Sequence, residues 1–175
     1  STTISILCTL LDPTSGTARV ADFDVLTQRD DVRRNIGLVF QETTLDVYLS
    51  AAQNLEFHAE LYGVPRELVR PRMKQVLEMV GLWDRRDSLV QTFSGGMKRR
   101  LEIARGLMHS PRVLFLDEPT VGLDPQTRSP IWKYLYELSD SEDITIFVTT
   151  HYMDEADHWD RIAIKAAGQI GTLDT

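Results

Sequence analysis

Short apolar runs alternate with longer stretches of mixed polarity along this chain. The runs at Gly16–Val20, Ile36–Phe40, Val113–Leu116 and Ile144–Thr149 have the length and composition of β-strands. The stretches between them place apolar residues three and four positions apart, which is typical of helices with one buried face. Strands that alternate with helices predict a mainly parallel sheet flanked by helices, so the predicted fold class is α/β.

Helical spacing predicts the remaining elements. Helices are expected over residues 2–11, around Asp31–Arg34, over residues 51–62, from Pro65 to Gly81, after Ser94, after residue 125 and at Met153–Asp157, with a last strand at Arg161–Lys165. Two prolines complicate this pattern because an interior proline removes a backbone hydrogen bond. Pro71 predicts a helix that starts late or bends. Pro130 predicts a helix capped by Ser129 with Pro130 as its first residue, or a kinked helix.

The first predicted helix is apolar on nearly every side, so we expect it to be buried over its whole length. Its apolar residues are Ile4, Ile6, Leu7, Cys8, Leu10 and Leu11. Cys8 is interpreted as a small core residue and not as a nucleophile. It is the only cysteine, which excludes a disulfide framework and a cysteine-rich metal site and favours a reducing compartment.

Composition narrows the class of protein. The chain has 175 residues, enough for one domain with its own core. Its net charge is −7 and it has no long basic run, which argues against a nucleic-acid-binding surface. The apolar runs are far shorter than the roughly 18–20 residues that span a bilayer. No basic residues precede the apolar segment Ile4–Leu11, which argues against a signal peptide.

The most informative strand is Val113–Leu116, because two acids, Asp117 and Glu118, follow it directly. Ligands of open α/β sheets collect at the carboxyl ends of the strands. Adjacent acids at such a place suit a Mg²⁺ site and a general base that accepts a proton from water. The alternative, equally weighted on this stretch alone, is a buried strand followed by acids that cap a helix.

Other polar residues are ambiguous when they are taken singly. Ser94, Gly95 and Gly96 precede a helix and could expose backbone N–H groups to a phosphate, or Ser94 could simply be its N-cap. For the basic residues 98–100 that follow, we favour a solvated helix face. Gln41 and His151, each just after a strand, are on their own more typical of structural residues than of catalytic ones.

Taken in order, these pieces resemble the nucleotide-binding domain of an ATP-binding cassette (ABC) transporter, over nearly the whole chain. Gln41 resembles the Q-loop glutamine and His151 the switch histidine. The other matching segments are Phe93–Met97 for the signature, Leu114–Glu118 for the Walker B strand and Gly122–Asp124 for the D-loop. The amino-acid sequences of Phe93–Arg100 and Thr149–Asp157 are similar to those of the ATPase subunits of daunorubicin-resistance-type exporters.

The resemblance implies a role for each matching residue in binding and hydrolysing ATP with Mg²⁺. Glu118 would activate water, Asp117 would hold the Mg²⁺ shell, and Gln41 would sense Mg²⁺ and couple to a transmembrane subunit. His151 would contact the γ-phosphate. Ser1 would be a Mg²⁺ ligand from the end of a Walker A motif. The remaining nucleotide contacts would be Thr2, Ser94, Gly95, Gly96 and Asp124.

The resemblance also implies an organisation and partners. Residues 1–175 would form one partial P-loop NTPase-like domain, with a RecA-like core at 1–41 and 109–175 and a helical subdomain at about 45–108. The Walker A glycines and lysine and the N-terminal strands would be missing, which would leave an apolar sheet edge exposed. We expect a head-to-tail homodimer that is bound to a transmembrane permease subunit, at the cytoplasmic face of the plasma membrane.

Three functions agree with these residues. The first is the energising subunit of an exporter, which we favour for the intact protein. The second is a soluble ABC ATPase that acts on DNA or ribosomes, although the long insertions or basic surfaces common in that class are not visible here. The third is a non-catalytic remnant that only self-associates, which the missing Walker lysine favours for this chain alone. We expect little or no ATPase activity from these 175 residues by themselves.

Overall fold

The computed structural model describes residues 2–123, 125–141, 144–152, 155, 159–166 and 168–174. Its helices are α1 Thr2–Leu7, α2 Arg29–Asn35, α3 Ala51–Leu61, α4 Arg66–Met79, α5 Gly95–Gly106 and α6 Pro125–Ser141. Its strands are β1 Arg19–Val20, β2 Phe23–Asp24, β3 Ile36–Val39, β4 Val113–Asp117, β5 Thr145–Thr149, β6 Ile162–Ala166 and β7 Gln169–Asp174. Short 3₁₀ turns lie at Trp83–Arg85 and Val90–Thr92.

A parallel sheet with the order β3-β4-β5 forms the centre of the described chain. Val39 pairs with Leu116, and Leu116 pairs with Val148 on its other side. Two antiparallel hairpins, β1-β2 and β6-β7, complete the described strands. The predicted parallel sheet is therefore confirmed, and the acidic strand β4 lies in its middle.

Successive residues of β4 point to opposite faces of the sheet, as expected for a strand covered on both sides. Leu114 and Leu116 are fully buried among the residues of α3, α4, α5 and α6. Phe115 packs on the other face, in a smaller cluster that contains Ile4 of α1 and Val32 of α2. This alternation explains why the strand is an uninterrupted apolar run.

Helix α5 lies directly against β3 because both carry a glycine at the contact. A Cβ atom placed on Gly37 would lie 2.5 Å from the carbonyl oxygen of Gly106 and 2.9 Å from Cδ1 of Leu114. No side chain fits that space, since real Cβ contacts are longer. The close approach fixes the position of the helix relative to the sheet.

The first helix is shorter than its apolar pattern predicts. It ends at Leu7, and Leu10 and Leu11 are 56% and 48% exposed, so the prediction of a buried helix over residues 2–11 is wrong. Thr9 adopts a φ of 62°, and Arg33 donates to its hydroxyl over 2.8 Å and to its carbonyl over 3.3 Å. This contact turns the chain away from the helix. The core assignment of Cys8 is confirmed, and burial raises the pKa of its thiol to about 12.

Both helices with an interior proline continue through it, and α6 begins earlier than predicted. Helix α4 starts at Arg66 and contains Pro71, so it does not start late. Helix α6 starts at Pro125 and contains Pro130, so the predicted start at Ser129 and Pro130 is wrong. Pro125 suits the first helical position, where its missing N–H has no partner in any case. Arg128 fixes this end, because its Nε donates to the carbonyl of Leu123 over 2.8 Å.

Two strands were not predicted from the sequence, and one predicted strand is shorter. The strand expected at Gly16–Val20 is reduced to β1, which pairs with β2 in a tight hairpin. Arg161–Lys165 corresponds to β6, but β7 follows it, so β6 is not the last strand. The helix predicted at Met153–Asp157 lies largely outside the described residues.

Candidate functional site

The carboxyl ends of the three parallel strands bring the candidate residues to one edge of the sheet. Val39, Leu116 and Val148 form a paired row. Gln41 and Glu118 each lie two residues beyond that row, and His151 lies three residues beyond it. The register of the sheet therefore brings the residues that follow β3, β4 and β5 to one edge.

Asp117 ends β4, and its side chain is held by the neighbouring strand. The hydroxyl of Thr149 donates to Oδ1 of Asp117 over 2.6 Å. Burial raises the pKa of Asp117, but the terminal amino group of the chain, then the bond from Thr149 and the charge of Arg99, outweigh it and hold the pKa below its usual value. Asp117 is therefore an ionised carboxylate, and hard oxygen ligands of this kind suit Mg²⁺.

Glu118 contacts His151 at the same edge. Its Oε1 lies 2.5 Å from Nε2 of His151, and the Glu118 side chain is 19% exposed whereas that of His151 is 79% exposed. The contact joins the turn after β4 to the turn after β5. It places a carboxylate and an imidazole side by side at a partly open edge, as proton transfer to or from a bound water would require.

The backbone of Glu118 is in the left-handed region, with a φ of 49°. This conformation is uncommon for a residue with a long side chain and persists only where the surroundings enforce it. Part of the enforcement comes from β5, because the N–H of Glu118 donates to the carbonyl of Thr149 over 3.1 Å and to its hydroxyl over 3.2 Å.

The start of α5 combines both interpretations that the sequence left open. Ser94 is its N-cap, with Oγ accepting from the N–H of Met97 over 3.3 Å. Gly95 is exposed and Gly96 is buried. The cap satisfies one N–H group and leaves other N–H groups of the first turn for a ligand. The two interpretations are thus compatible.

The basic residues after the signature do not form a solvated face, so that prediction is wrong. Lys98 and Arg100 are partly buried, and Arg99 is only 6% exposed. Arg100 donates to the carbonyl of Val80 over 2.7 Å. The side chains of Arg99 and Arg100 bind backbone carbonyl groups of distant segments, which the local pattern of charges does not indicate.

Arg99 is the centre of a buried hydrogen-bond network. Its guanidinium donates to the carbonyl oxygens of Phe40, Asp117, Glu118 and Pro119 and to the carboxylate of Glu102. Glu102 is 2% exposed, and its other oxygen accepts the N–H of Thr44 over 2.8 Å. Burial lowers the pKa of Arg99, and the charge of Glu102 opposes that effect. Sequence reasoning missed both residues.

A second buried acid, Glu155, lies four residues after His151. Glu155 is 6% exposed, accepts a hydrogen bond from the hydroxyl of Thr120 over 2.7 Å, and also contacts the hydroxyl of Thr150. It ties the turn after β4 to the turn after β5, which supports the geometry of Glu118 and His151. The sequence indicates this contact only indirectly, because a threonine follows β4 at position 120 and another follows β5 at position 150.

The remaining candidates are less constrained or lie outside the described residues. Gln41 is exposed just beyond β3, and Thr2 is exposed at the start of α1. Ser1 and Asp124 lie outside the described residues. Among the side chains that the structure describes, no group of three or more His, Cys, Asp or Glu residues forms a metal cluster.

Comparison with known proteins decides the family. A family model described as ABC transporter matches residues 1–121 of the chain. The chain belongs to the ABC transporter family. This ABC transporter chain contains, over 2–123, 125–141 and the other described segments, no helix that combines the length and apolar character needed to cross a membrane.

Curated ABC transporter relatives include resistance proteins of bacteria. The daunorubicin/doxorubicin resistance ATP-binding protein DrrA of Streptomyces peucetius is 44% identical over 97% of this chain and 52% of the relative. The linearmycin resistance ATP-binding protein LnrL of Bacillus subtilis is 39% identical over 100% of this chain and 56% of the relative. The chain therefore spans about half the length of these relatives. Their names agree with the predicted exporter subgroup.

Solved ABC transporter structures share the fold. The cbiO1 protein of Clostridium perfringens, described as part of the ABC transporter complex cbiONQ, has a TM-score of 0.89 and 30% identity over 98% of this chain and 70% of that chain. The dimeric ATP-binding cassette MJ0796, bound to ADP and phosphate, has a TM-score of 0.84 and 28% identity over 99% of this chain and 78% of that chain. The predicted P-loop NTPase-like fold is confirmed.

Proposed function

We propose that this chain is the ATP-binding and ATP-hydrolysing part of a membrane exporter, with drugs or related compounds as cargo. The contact between Glu118 and His151 at the carboxyl edge of the sheet carries the proposal. This edge carries the ionised carboxylate of Asp117 and places the carboxylate of Glu118 beside the imidazole of His151. Such a combination suits phosphoryl transfer to water. The names of DrrA and LnrL support the choice of drug efflux.

In this mechanism, Glu118 is the general base. Its carboxylate orients a water molecule and accepts a proton from it as the water oxygen attacks the terminal phosphorus of ATP. The bond between that phosphorus and the bridging oxygen breaks, and ADP leaves with the electron pair. His151 donates a hydrogen bond to that carboxylate and is exposed enough to face the nucleotide as well. Both side chains act by position and charge, which is how most catalysis of phosphoryl transfer is achieved.

The oxygen-rich edge fits Mg²⁺. Asp117 and Gln41 would hold it, and Ser1 is assigned to the same role by the family resemblance alone. Mg²⁺ keeps most of its water ligands in such sites, so a single protein carboxylate is a sufficient anchor. The ion would neutralise charge on the phosphate oxygens. Asp117 suits the anchor role because its low pKa keeps it ionised.

ATP would lie between two copies of the domain. The phosphates of the ATP held by the other copy would accept hydrogen bonds from backbone N–H and hydroxyl groups of Ser94, Gly95 and Gly96. The remaining contacts would come from Thr2 and Asp124. The exposed start of α5 supports this arrangement, since Ser94 and Gly95 are open to a partner. The dimeric state of MJ0796, as its description gives it, is consistent with a head-to-tail homodimer.

A transmembrane permease subunit would dock on the helical segment. Phe57 and Leu61 are 60% and 66% exposed and lie one turn apart on the same face of α3. Adjacent exposed apolar residues of this size suit burial by a partner. The protein would then lie at the cytoplasmic face of the plasma membrane. Co-purification with a polytopic membrane protein, and not with nucleic acid, is the expected outcome for the full-length protein.

The substitution Glu118→Gln tests the proposal. In the full-length protein with its permease, we expect ATP hydrolysis to fall by roughly 100-fold or more, because removing a positioned general base costs about 10²–10⁴ in rate. ATP binding, measured with a fluorescent nucleotide, should stay within about threefold of wild type. Hydrolysis at the wild-type rate would refute the role of Glu118.

A further inference from the structure

We propose that Arg99 is a positioning residue that holds Glu118 in its left-handed backbone conformation and so sets the direction of the Glu118 carboxylate. The inference rests on the proposed catalytic role of Glu118. It adds a residue that is only 6% exposed and that acts through the backbone of the turn carrying Glu118.

The first observation is that one guanidinium binds three successive carbonyl groups. Nε of Arg99 donates to Pro119 over 2.7 Å, and Nη2 donates to Asp117 and to Glu118 over 3.3 Å each. Three consecutive carbonyl oxygens can converge on one side chain only if the backbone curls around it. The turn therefore has a curvature that an extended strand end does not have.

The second observation is the backbone of Glu118 itself, whose φ of 49° lies in the left-handed region. This region is disfavoured for a residue with a Cβ atom relative to its right-handed counterpart, because the Cβ atom approaches the following carbonyl oxygen. Without outside support, the turn would relax toward an extended or right-handed conformation. That relaxation would rotate the Cα–Cβ bond and move the carboxylate away from His151.

The third observation is that the same guanidinium reaches the segment after β3. Its Nη1 donates to the carbonyl of Phe40 and to the carboxylate of Glu102. Glu102 in turn accepts the N–H of Thr44. The Phe40–Thr44 segment, which contains Gln41, is thus tied through one buried ion pair to the turn that carries Glu118. A shift of that segment would therefore change the position of the Glu118 carboxylate.

Arginine is required at this position by geometry. Five N–H groups in a rigid planar fork serve the four carbonyl groups and the carboxylate that surround Arg99. Lysine keeps the positive charge beside Glu102 but has three donors on one atom. Arg99→Lys therefore removes the fork and retains the charge, which separates positioning from electrostatics.

The test compares Arg99→Lys with Arg100→Lys in the full-length protein. Arg100 is adjacent, partly buried and bonded to the carbonyl of Val80, away from the catalytic turn. For Arg99→Lys we expect kcat for ATP hydrolysis to fall roughly 10- to 100-fold, since small misplacements of a catalytic group cost rates of this order. The KM for ATP should stay within about threefold, and Arg100→Lys should retain the wild-type kcat within about twofold.

The kcat of the double variant, Arg99→Lys with Glu118→Gln, distinguishes a positioning role of Arg99 from a merely structural one. If Arg99 acts through the Glu118 carboxylate, then Arg99→Lys should cause no further loss in a chain that already carries Glu118→Gln. An additional tenfold loss in the double variant, or an unchanged kcat in Arg99→Lys alone, would overturn the inference.

Folding is checked by circular dichroism and thermal unfolding. If Arg99→Lys does not fold, Glu102→Gln replaces it, because an amide can still accept from Thr44 but holds the guanidinium less tightly. We then expect kcat to fall roughly 3- to 10-fold, again with no further loss on Glu118→Gln, and no effect would contradict the inference. Hydrolysis at the wild-type rate by Glu118→Gln would refute the proposed catalytic role of Glu118, whereas an inactive Glu118→Gln beside a fully active Arg99→Lys would refute only this inference.

Discussion

The hydroxyl of Thr149 contacts both the side chain of Asp117, at the end of the neighbouring strand, and the backbone of Glu118, which follows that strand. It donates to Oδ1 of Asp117 over 2.6 Å and accepts the N–H of Glu118 over 3.2 Å. One side chain of β5 therefore helps to lower the pKa of Asp117 and fixes the start of the turn that contains Glu118. A threonine, and not an apolar β-branched residue, is needed at this point of an otherwise apolar sheet.

The substitution Thr149→Val should weaken Mg²⁺ use and shift the pH dependence of hydrolysis. Valine keeps the shape of the side chain but removes one of the hydrogen bonds that lower the pKa of Asp117. The pKa of Asp117 should then rise, so that the carboxylate is protonated at a higher pH and the acid limb of the kcat/KM profile moves to higher pH. The Mg²⁺ concentration for half-maximal activity should rise several-fold.

The matched control for this substitution is Thr145→Val, at the exposed start of the same strand. It should leave the pH profile and the Mg²⁺ dependence unchanged. An acid limb that stays in place in Thr149→Val would contradict the assigned role of the hydroxyl.

The contact between α5 and β3 makes Gly37→Ala strongly destabilising. The new Cβ would lie 2.5 Å from a backbone oxygen, which cannot move aside as a flexible side chain would. We expect the free energy of unfolding to fall by about 2 kcal/mol or more, at the upper end of overpacking costs. Urea unfolding followed by circular dichroism measures this loss.

A second strand glycine provides the comparison. At Gly171 of β7, a Cβ atom would meet nothing closer than 3.9 Å. Gly171→Ala should therefore unfold at the same urea concentration as wild type, within error. Equal losses for the two variants would mean that the helix–sheet contact is not the cause.

His58 should make the protein sensitive to mild acid. Burial, followed by the nearby His109 and Arg105, lowers the pKa of His58 from 6.5 to about 3. Its ring stacks on Tyr62 at a centroid distance of 4.5 Å, and its Nε2 lies 3.4 Å from Nδ1 of His109. Between these two pKa values the unfolded chain binds a proton that the folded chain does not, so stability falls as the pH falls below 6.5.

The substitution His58→Gln tests this expectation. At pH 5 the protonation of His58 in the unfolded chain should cost wild type on the order of 1–2 kcal/mol, by the usual conversion of pKa differences. The decrease in the free energy of unfolding from pH 7.5 to pH 5 should thus be smaller in His58→Gln by that amount. His109, whose pKa is also lowered by burial, accounts for a further part of the decrease. An identical decrease in both proteins would rule His58 out.

Sequence patterns predicted the sheet and the residues at its edge because both depend on local signals. The apolar run before Asp117 and Glu118 predicts a buried strand wherever that strand lies in the sheet. The ordering of Gln41, the signature and His151 along the chain predicted the family. Both signals can be recognised from the sequence without knowledge of the tertiary structure.

The features that the sequence did not reveal depend on contacts between distant segments. Arg99 is buried because carbonyl groups of Phe40 and Asp117, far away in sequence, surround it. The β1-β2 hairpin turns at Ala21 and Asp22, with φ values of 51° and 73°. Asparagine–glycine pairs usually mark such turns, and an alanine–aspartate pair gives no such sign.

The order of the central sheet has a consequence for how the chain folds. Strands β3 and β4 are neighbours, yet α3, α4 and α5 all lie between them in the sequence. Pairing them closes a long loop, and the entropy lost in that closure must be met before the pairing gives any stability. We therefore expect the helical segment to form first and to bring the two strands together. Substitutions in the core of the helical segment would then slow the pairing of β3 with β4.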